Sequence, residues 1–383
     1  MLKSFGGENV QRAASNDRGG SFGKGMIDNA GPRILLDSNR CAIGAGLCGT
    51  KDAVFTSGIY AAKRDVGEST KSALTHALEM LEKKGFGPDD VVKARVFLKD
   101  MAEFDKFNDA YADFFGGHKP ARECVQVAGL PEGANVQISL IASSEPKKVV
   151  YSKEAPEPVG PYVQAFMAGS RLYLSGQISG KSIETQPEAV LEQLGAVLKA
   201  AGMGPEDVVK ANVYLKSFEL FGAVNDAFSC FFKTNPPARE AVEMPMLPKG
   251  VAVEVSLIAG MDAGKNKRII TASDVPPPVG PYSHAVEMGD TVFLSGQICK
   301  DGTVEQQASV VLGNLGKVLK AAGATPQNVV AATVFLSDFA HLEVAERQLT
   351  GFFEGTLPVV EVVNPAKLPF GVAIEVSCIA VKS

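Results

Sequence analysis

The sequence has no tryptophan, and its four histidines (His76, His118, His284 and His341) are scattered along the chain. Its six cysteines form no C-x-x-C pair and no Cys/His cluster, so no metal site is expected and the thiols read as reduced, in an intracellular compartment. No apolar run approaches the roughly 20 residues of a membrane span. Positive charge is also scarce: 38 Lys and Arg against 43 Asp and Glu leave a net charge of −5. That balance argues against broad attraction to nucleic acid or to anionic lipid. Residues 1–30 are rich in Gly, Ser and Asn, lack the apolar core of a secretory signal, and read as a disordered leader. Lys3, Arg12 and Arg18 keep a mitochondrial address open beside the cytoplasmic one, with Glu8 and Asp17 against it.

What the chain does have is repetition. Thr56-Ser57-Gly58, Leu174-Ser175-Gly176 and Leu294-Ser295-Gly296 recur at a period of roughly 120 residues. Val91-Val92-Lys93-Ala94, Val208-Val209-Lys210-Ala211 and Val329-Val330-Ala331-Ala332 follow the same period, as do the turns at Leu130-Pro131, Leu247-Pro248 and Leu368-Pro369. The expected organisation is therefore a leader (1–30) and three copies of one α/β (α+β) domain, at 31–145, 146–262 and 268–383. The run Asp262 to Lys267 serves as a linker.

Each copy is expected to read β-β-α-β-α-β-β. In the second, Val190, Leu194, Val197, Leu198 and Ala201 recur at helical spacing, and Gly202 supplies a left-handed stop. Val208 to Leu215 is a strand, and Ser217 to Phe232 a second helix with Leu220, Val224, Ala227 and Phe231 as its stripe. Two strands then flank Leu247-Pro248-Lys249-Gly250, with Arg239 opening one and Glu254 inside the other. Alternation from Val251 puts Ala252, Glu254, Ser256 and Ile258 on one face, neither a dry core nor a solvated surface. Taken alone, this also fits a weak surface ion pair. Two helices cover only one face of such a sheet, so the other face needs another sheet, which three copies supply by closing a pseudo-threefold ring. A self-contained monomeric pseudo-trimer is expected.

Four ordered motifs of the second copy, Ala155 to Tyr162, Leu174-Ser175-Gly176-Gln177, Pro237-Ala238-Arg239 and Val253-Glu254-Val255, together resemble the RidA/YjgF (endoribonuclease L-PSP) family of reactive-imine deaminases. The third copy is similar at Pro276 to Tyr282 and Leu294 to Gln297. The resemblance implies chorismate-mutase-like domains, trimers with clefts between subunits, and cofactor-independent hydrolysis of small 2-imino acids to 2-keto acids and ammonia. A substrate carboxylate calls for a forked, permanently charged partner, which Arg239 supplies, and proton transfer calls for a carboxyl of raised pKa, which Glu254 supplies. The resemblance further implies that Ser175 and Gly176, or Ser295 and Gly296, offer a hydroxyl and backbone N–H to the substrate. Tyr162 or Tyr282 would wall the pocket.

Departures from the pattern limit the number of working clefts to one or two. The first copy keeps Arg122 but has Gln137 at the glutamate position, Ile59 for Gln177, and Ile43-Gly44-Ala45-Gly46 in place of Gly-Pro-Tyr. The third keeps Tyr282, Ser295 and Glu375 but has Val360 at the arginine position. Only the second copy retains Tyr162, Ser175, Arg239 and Glu254 together, although the sequence leaves open which copies meet in each cleft. His284, after Gly-Pro-Tyr-Ser, is expected to be a structural hydrogen-bonding residue, and Cys124 a small buried one. Two further functions compete with imine hydrolysis: an endoribonuclease or translation inhibitor, disfavoured by acidity and the lack of Trp, and a non-catalytic small-acid-binding module.

Overall fold

The structure, a computed structural model, describes residues 33–34, 47–49, 53–354 and 358–382. The leader, with its basic residues, and the segment replacing Gly-Pro-Tyr in the first repeat lie outside the described residues. Each repeat builds a seven-stranded mixed sheet. In the second the order is Ala238–Glu243, Val208–Leu215, Val253–Gly260, Arg171–Leu174, Ala165–Ala168, Lys147–Val150, with Gln177–Ile178 also on Val253–Gly260. Val208–Leu215 runs parallel to Ala238–Glu243, a pairing that needs a crossover, and the helix Phe221–Phe232 provides it. Every other pair in the sheet is antiparallel.

That helix and Gln186–Ala200 cover one face of the sheet, burying Val190, Leu194, Val197 and Leu198 from one and Val224, Ala227, Phe228 and Phe232 from the other. Leu220 and Phe231 pack at the margin of this core. Gly202 takes φ +76°, and the N–H of Met203 donates to Leu198 O at 2.9 Å, closing the first helix as its sequence predicts. The element order differs from expectation at the start of the repeat. Lys147–Val150 is an additional edge strand, and past Ser175-Gly176 the strand Arg171–Leu174 is followed by a further short one, Gln177–Ile178. The expected linker, too, is structured: Ala263–Asn266 forms a helical turn, tied to its repeat by Gly264 N–H to Asp207 Oδ1 at 2.8 Å.

The strand after Leu247-Pro248 begins at Val253 rather than Val251. Ala252 lies in the helix-side core, its N–H bonded to Gln186 Oε1, while Glu254, Ser256 and Ile258 turn away from the helices. The face they form meets the other two sheets, so the three repeats close around a common axis.

Buried charge marks that axis. Arg95 Nε lies 2.6 Å from Glu123, its Nη2 2.8 Å from Glu240 and its Nη1 2.7 Å from Glu361, so one guanidinium ties together a glutamate from each repeat. Lys93 and Lys210 lie 3.2 Å from Glu123 and 3.1 Å from Glu240. The third repeat has Ala331 at the lysine position. The other two have Asn212 and Thr333 where Arg95 stands. Three arginines could not share one axis, so a single Arg in one repeat supplies the charge that the missing lysine would have carried.

Candidate functional site

The clefts lie between repeats, and one backbone bond recurs at each junction. Gly176 N–H donates to Arg122 O at 2.9 Å, Gly296 N–H to Arg239 O at 3.0 Å, and Gly58 N–H to Val360 O at 3.4 Å. The arginine-bearing strand of one repeat therefore meets the Ser-Gly strand end and the glutamate of the next. Arg122 joins Tyr162, Gly176 and Glu254 in one cleft, and Arg239 joins Tyr282, Gly296 and Glu375 in the other. Arg239 and Glu254, expected to act as a pair, belong to different clefts. The reason is geometric: within one repeat they sit on strands that flank a third, Val208–Leu215, and each faces the neighbouring repeat on its own side. The third junction brings Val360 to Gln137, whose Nε2 donates to Val362 O at 3.1 Å, so the positions of the arginine and the glutamate hold a valine and an amide.

In the first cleft Arg122 is 2% exposed, yet its two terminal nitrogens have no hydrogen-bond partner. Aromatic rings enclose it, with the ring centres of Tyr162, Tyr111, Phe107 and Phe104 at 4.8, 5.0, 5.1 and 5.6 Å from its Cζ. Arg239 is held in the same way by Tyr282 (4.9 Å), Phe228 (5.2 Å) and Phe221 (5.5 Å), with Nη2 donating to Asn225 at 2.9 Å and Nη1 unpartnered. Burial lowers the Arg239 pKa to about 10. A buried cation without a counter-charge is costly, and π faces offset only part of that cost. Sequence reasoning assigned Phe104, Phe107, Phe221 and Phe228 no site role. Their i, i+3 and i+7 spacing marks them as a core stripe, and only the inter-repeat packing shows that this stripe ends on an arginine.

Facing each arginine across the cavity is a carboxyl group with one free oxygen. Glu254 Oε1 accepts the Cys124 N–H at 3.4 Å while its Oε2 has no partner; Glu375 Oε2 is likewise unpartnered. Burial, reinforced by the neighbouring Glu123, raises the Glu254 pKa to about 8, and burial with Glu240 does the same for Glu375. Such a group holds a proton near neutral pH and can also release it.

The serines and glycines serve as the frame. Ser175 Oγ accepts the Arg122 N–H at 2.8 Å and donates to Val163 O at 2.5 Å, and Ser295 Oγ does the same with Arg239 N–H and Ser283 O. The N–H groups of Ser175 and Gly176 go to Gln164 O and Arg122 O, and those of Ser295 and Gly296 to His284 O and Arg239 O. The donors that the resemblance assigned to a substrate are thus already engaged within the interface. Gly176 and Gly296 have a steric role: a Cβ on either would collide with the carboxyl of Glu254 or Glu375. Tyr162 and Tyr282 wall the cavities, each accepting a backbone N–H at 3.2 Å, from Val159 and Val279.

His284 Nδ1 accepts the Ala272 N–H at 3.2 Å, and Nε2 bonds Pro276 O at 2.9 Å. It reproduces the bonds that Gln164 makes to Ser152 N–H and Pro156 O, a structural role. Cys124 is buried, with its thiol pushed up to about 12, so it is no nucleophile. Among the described residues no group of three His, Cys, Asp or Glu side chains is placed to hold a metal ion, and no helix is long and apolar enough to cross a membrane.

The chain matches the family described as Endoribonuclease L-PSP three times, over residues 36–144, 152–261 and 272–382. It is 42% identical over 122 residues to a RutC family protein of Saccharolobus solfataricus, covering 30% of this chain and 97% of that one. It is 37% identical over 123 residues to a 2-iminobutanoate/2-iminopropanoate deaminase of Dermatophagoides farinae, covering 30% and 95%. Among solved structures, RidA from an Antarctic Psychrobacter is 34% identical over 30% of this chain and 99% of that one, with a TM-score of 0.29.

Proposed function

From the premise that the chain belongs to the Endoribonuclease L-PSP family, we infer that it hydrolyses small 2-imino acids to 2-keto acids and ammonia at two of its three inter-repeat junctions. One observation carries this reading: in each of two clefts a buried guanidinium with unused N–H groups faces a buried carboxyl group with an unused oxygen. Relatives named 2-iminobutanoate/2-iminopropanoate deaminase support it.

In this mechanism Arg122 or Arg239 holds the substrate carboxylate through its free N–H groups and gains the counter-charge it lacks. Glu254 or Glu375, protonated near neutral pH, gives its proton to the imine nitrogen, which makes the carbon electrophilic. The resulting carboxylate accepts a proton from water as the C–O bond forms and the C=N electron pair moves to nitrogen. Returning that proton to nitrogen lets the C–N bond break; as ammonia leaves, the C=O bond forms and the hydroxyl proton passes to the carboxylate, which restores the acid. No cofactor enters these steps.

Each cleft is narrow and is lined by a single cation, Arg122 or Arg239, which suits one small carboxylate rather than a phosphate chain, so the ribonuclease reading has no support from the clefts. Ammonia release from freshly generated 2-imino acids, measured on the wild type and on Glu254→Gln/Glu375→Gln, tests the proposal. Keto-acid binding with no turnover in the wild type would instead make the protein a small-acid-binding module.

A further inference from the structure

The two clefts are lined by nine positions each, and eight of the nine carry the same residue in both. The exception lies two residues beyond the arginine on the same strand face: Cys124 in one cleft, Ala241 in the other. The cavity measures about 10 Å³ beside Cys124 and about 30 Å³ beside Ala241. A buried thiol that stays protonated has no chemical task here, so its effect is volume.

The neighbouring space differs as well: the cavity of about 280 Å³ next to the Cys124 cleft shares only Tyr162 with it and is lined in part by Lys119 and Glu157. Beside the Ala241 cleft lies a further cavity of about 290 Å³, which shares Val279, Tyr282, Gly296 and Ile298 with it and continues along Pro276, Pro277 and Val310. These walls are largely apolar, and the space adjoins the cleft in which Arg239 would fix a carboxylate. An aliphatic side chain on the substrate carbon has somewhere to go.

We propose that the two clefts divide substrates by size: the Cys124 cleft takes the smallest 2-imino acids, the Ala241 cleft those with longer apolar side chains, and this one position sets the difference. The inference rests on the imine-hydrolase reading for its substrates, while its geometric part concerns any 2-oxo or 2-imino acid. In an apolar pocket one methylene-sized group changes kcat/KM by roughly 10- to 200-fold. A sulfur-for-hydrogen exchange at the cavity wall falls in the same range.

The test uses the full chain with one cleft silenced at a time. Glu375→Gln leaves the Cys124 cleft working and Glu254→Gln leaves the Ala241 cleft. Each is assayed with the imines of alanine and leucine; binding to one cleft at a time is read by calorimetry with pyruvate and 4-methyl-2-oxopentanoate on Arg239→Met, which keeps the Cys124 cleft, and on Arg122→Met, which keeps the Ala241 cleft. The Cys124 cleft is expected to prefer the alanine-derived imine by 10-fold or more, and the Ala241 cleft to accept the leucine-derived one. Adding Cys124→Ala to Glu375→Gln should shift preference toward the larger substrate by about 10-fold. Adding Ala241→Cys to Glu254→Gln should do the reverse. Identical size profiles in the two clefts, or profiles unmoved by either exchange, overturn the proposal. If no imine turns over, the hydrolase reading fails by itself and the keto-acid affinities still decide the size question; equal affinities, or none, overturn it as well.

Discussion

The backbone N–H of Cys124 donates to Glu254 Oε1 at 3.4 Å, across the boundary between the first and second repeats. The bond fixes one carboxylate oxygen and leaves the other without a partner, so the buried carboxyl group of one repeat is aimed by the strand that carries its neighbour's arginine. Each cleft is therefore completed by two repeats, and losing either partner removes one cleft while leaving the other. Glu254→Gln and Glu375→Gln should each abolish turnover in one cleft only. The double variant should lower kcat by roughly 10²- to 10⁴-fold, with keto-acid binding nearly unchanged. Steady-state ammonia release and calorimetry check both halves, and full activity in the double variant would refute the assignment.

The same two glutamates give a stability signature with a definite sign. Their folded pKa of about 8 stands above the ordinary 4.5, so below pH 4.5 both folded and unfolded chains carry the protons. As pH rises to 8 the unfolded chain releases them first, and stability falls across that window. The loss should be on the order of a few kcal/mol per group, and the double Gln variant should show a flatter pH dependence between 5 and 8 in urea titrations. Equal slopes in the two proteins would contradict the raised values.

Arg239 illustrates a conflict between function and stability. Its guanidinium is buried without a carboxylate partner, so Arg239→Met should weaken keto-acid binding in that cleft by about 2–5 kcal/mol. The fold should lose no stability, because an uncompensated charge is removed from an apolar surround. Calorimetry with pyruvate, set beside the denaturation midpoint, separates the two effects. A large drop in the midpoint would show that the arginine stabilises the interface even without a bound acid.

On the axis the opposite holds, since Arg95 ties together three glutamates drawn from three repeats, two of which also pair with Lys93 and Lys210. Arg95→Ala takes the cation from buried Glu361, while Glu123 and Glu240 keep their lysines, and should cost about 3–5 kcal/mol. Because the three sheets already satisfy one another around this axis, the wild-type chain should scatter light as a monomer of 40.3 kDa. A stable trimer of chains would refute that.

Legibility divides by the range of the interactions. The helix stripe Val190, Leu194, Val197 and Leu198, the stop at Gly202 and the strand Val208–Leu215 are written in local periodicity and were readable directly. The triplication was equally plain, because its motifs recur in order. What could not be read was which arginine meets which glutamate: Arg239 and Glu254 are 15 positions apart in sequence, yet the partner of each belongs to another repeat. Their separation in the sheet depends on the strand order, and the pairing on the handedness of the ring. The engagement of Ser175 and Gly176 was hidden for the same reason, since the Gly176 N–H and the Ser175 hydroxyl oxygen both bond to Arg122 of a different repeat.

The third junction offers the strictest test of this account. Gln137 stands where the other clefts have Glu254 and Glu375, so Gln137→Glu puts the missing acid back at its position. Its partner strand, however, presents Val360 and no cation, and the Gln137 amide is already bonded to Val362 O. A glutamate there would lose that donor, face a backbone carbonyl as an acceptor, and be buried without a counter-charge. Burial would hold it protonated to high pH, with no arginine to bring a substrate carboxylate near. Introduced into the Glu254→Gln/Glu375→Gln background, Gln137→Glu should restore no ammonia release and should lower stability as pH rises. Adding Val360→Arg should give the pair a common interaction and recover part of the lost stability, an effect that a double-mutant cycle measures directly. Recovery of turnover by Gln137→Glu alone would show that the arginine is dispensable, and with it that the carboxylate anchor has been misassigned in the other two junctions.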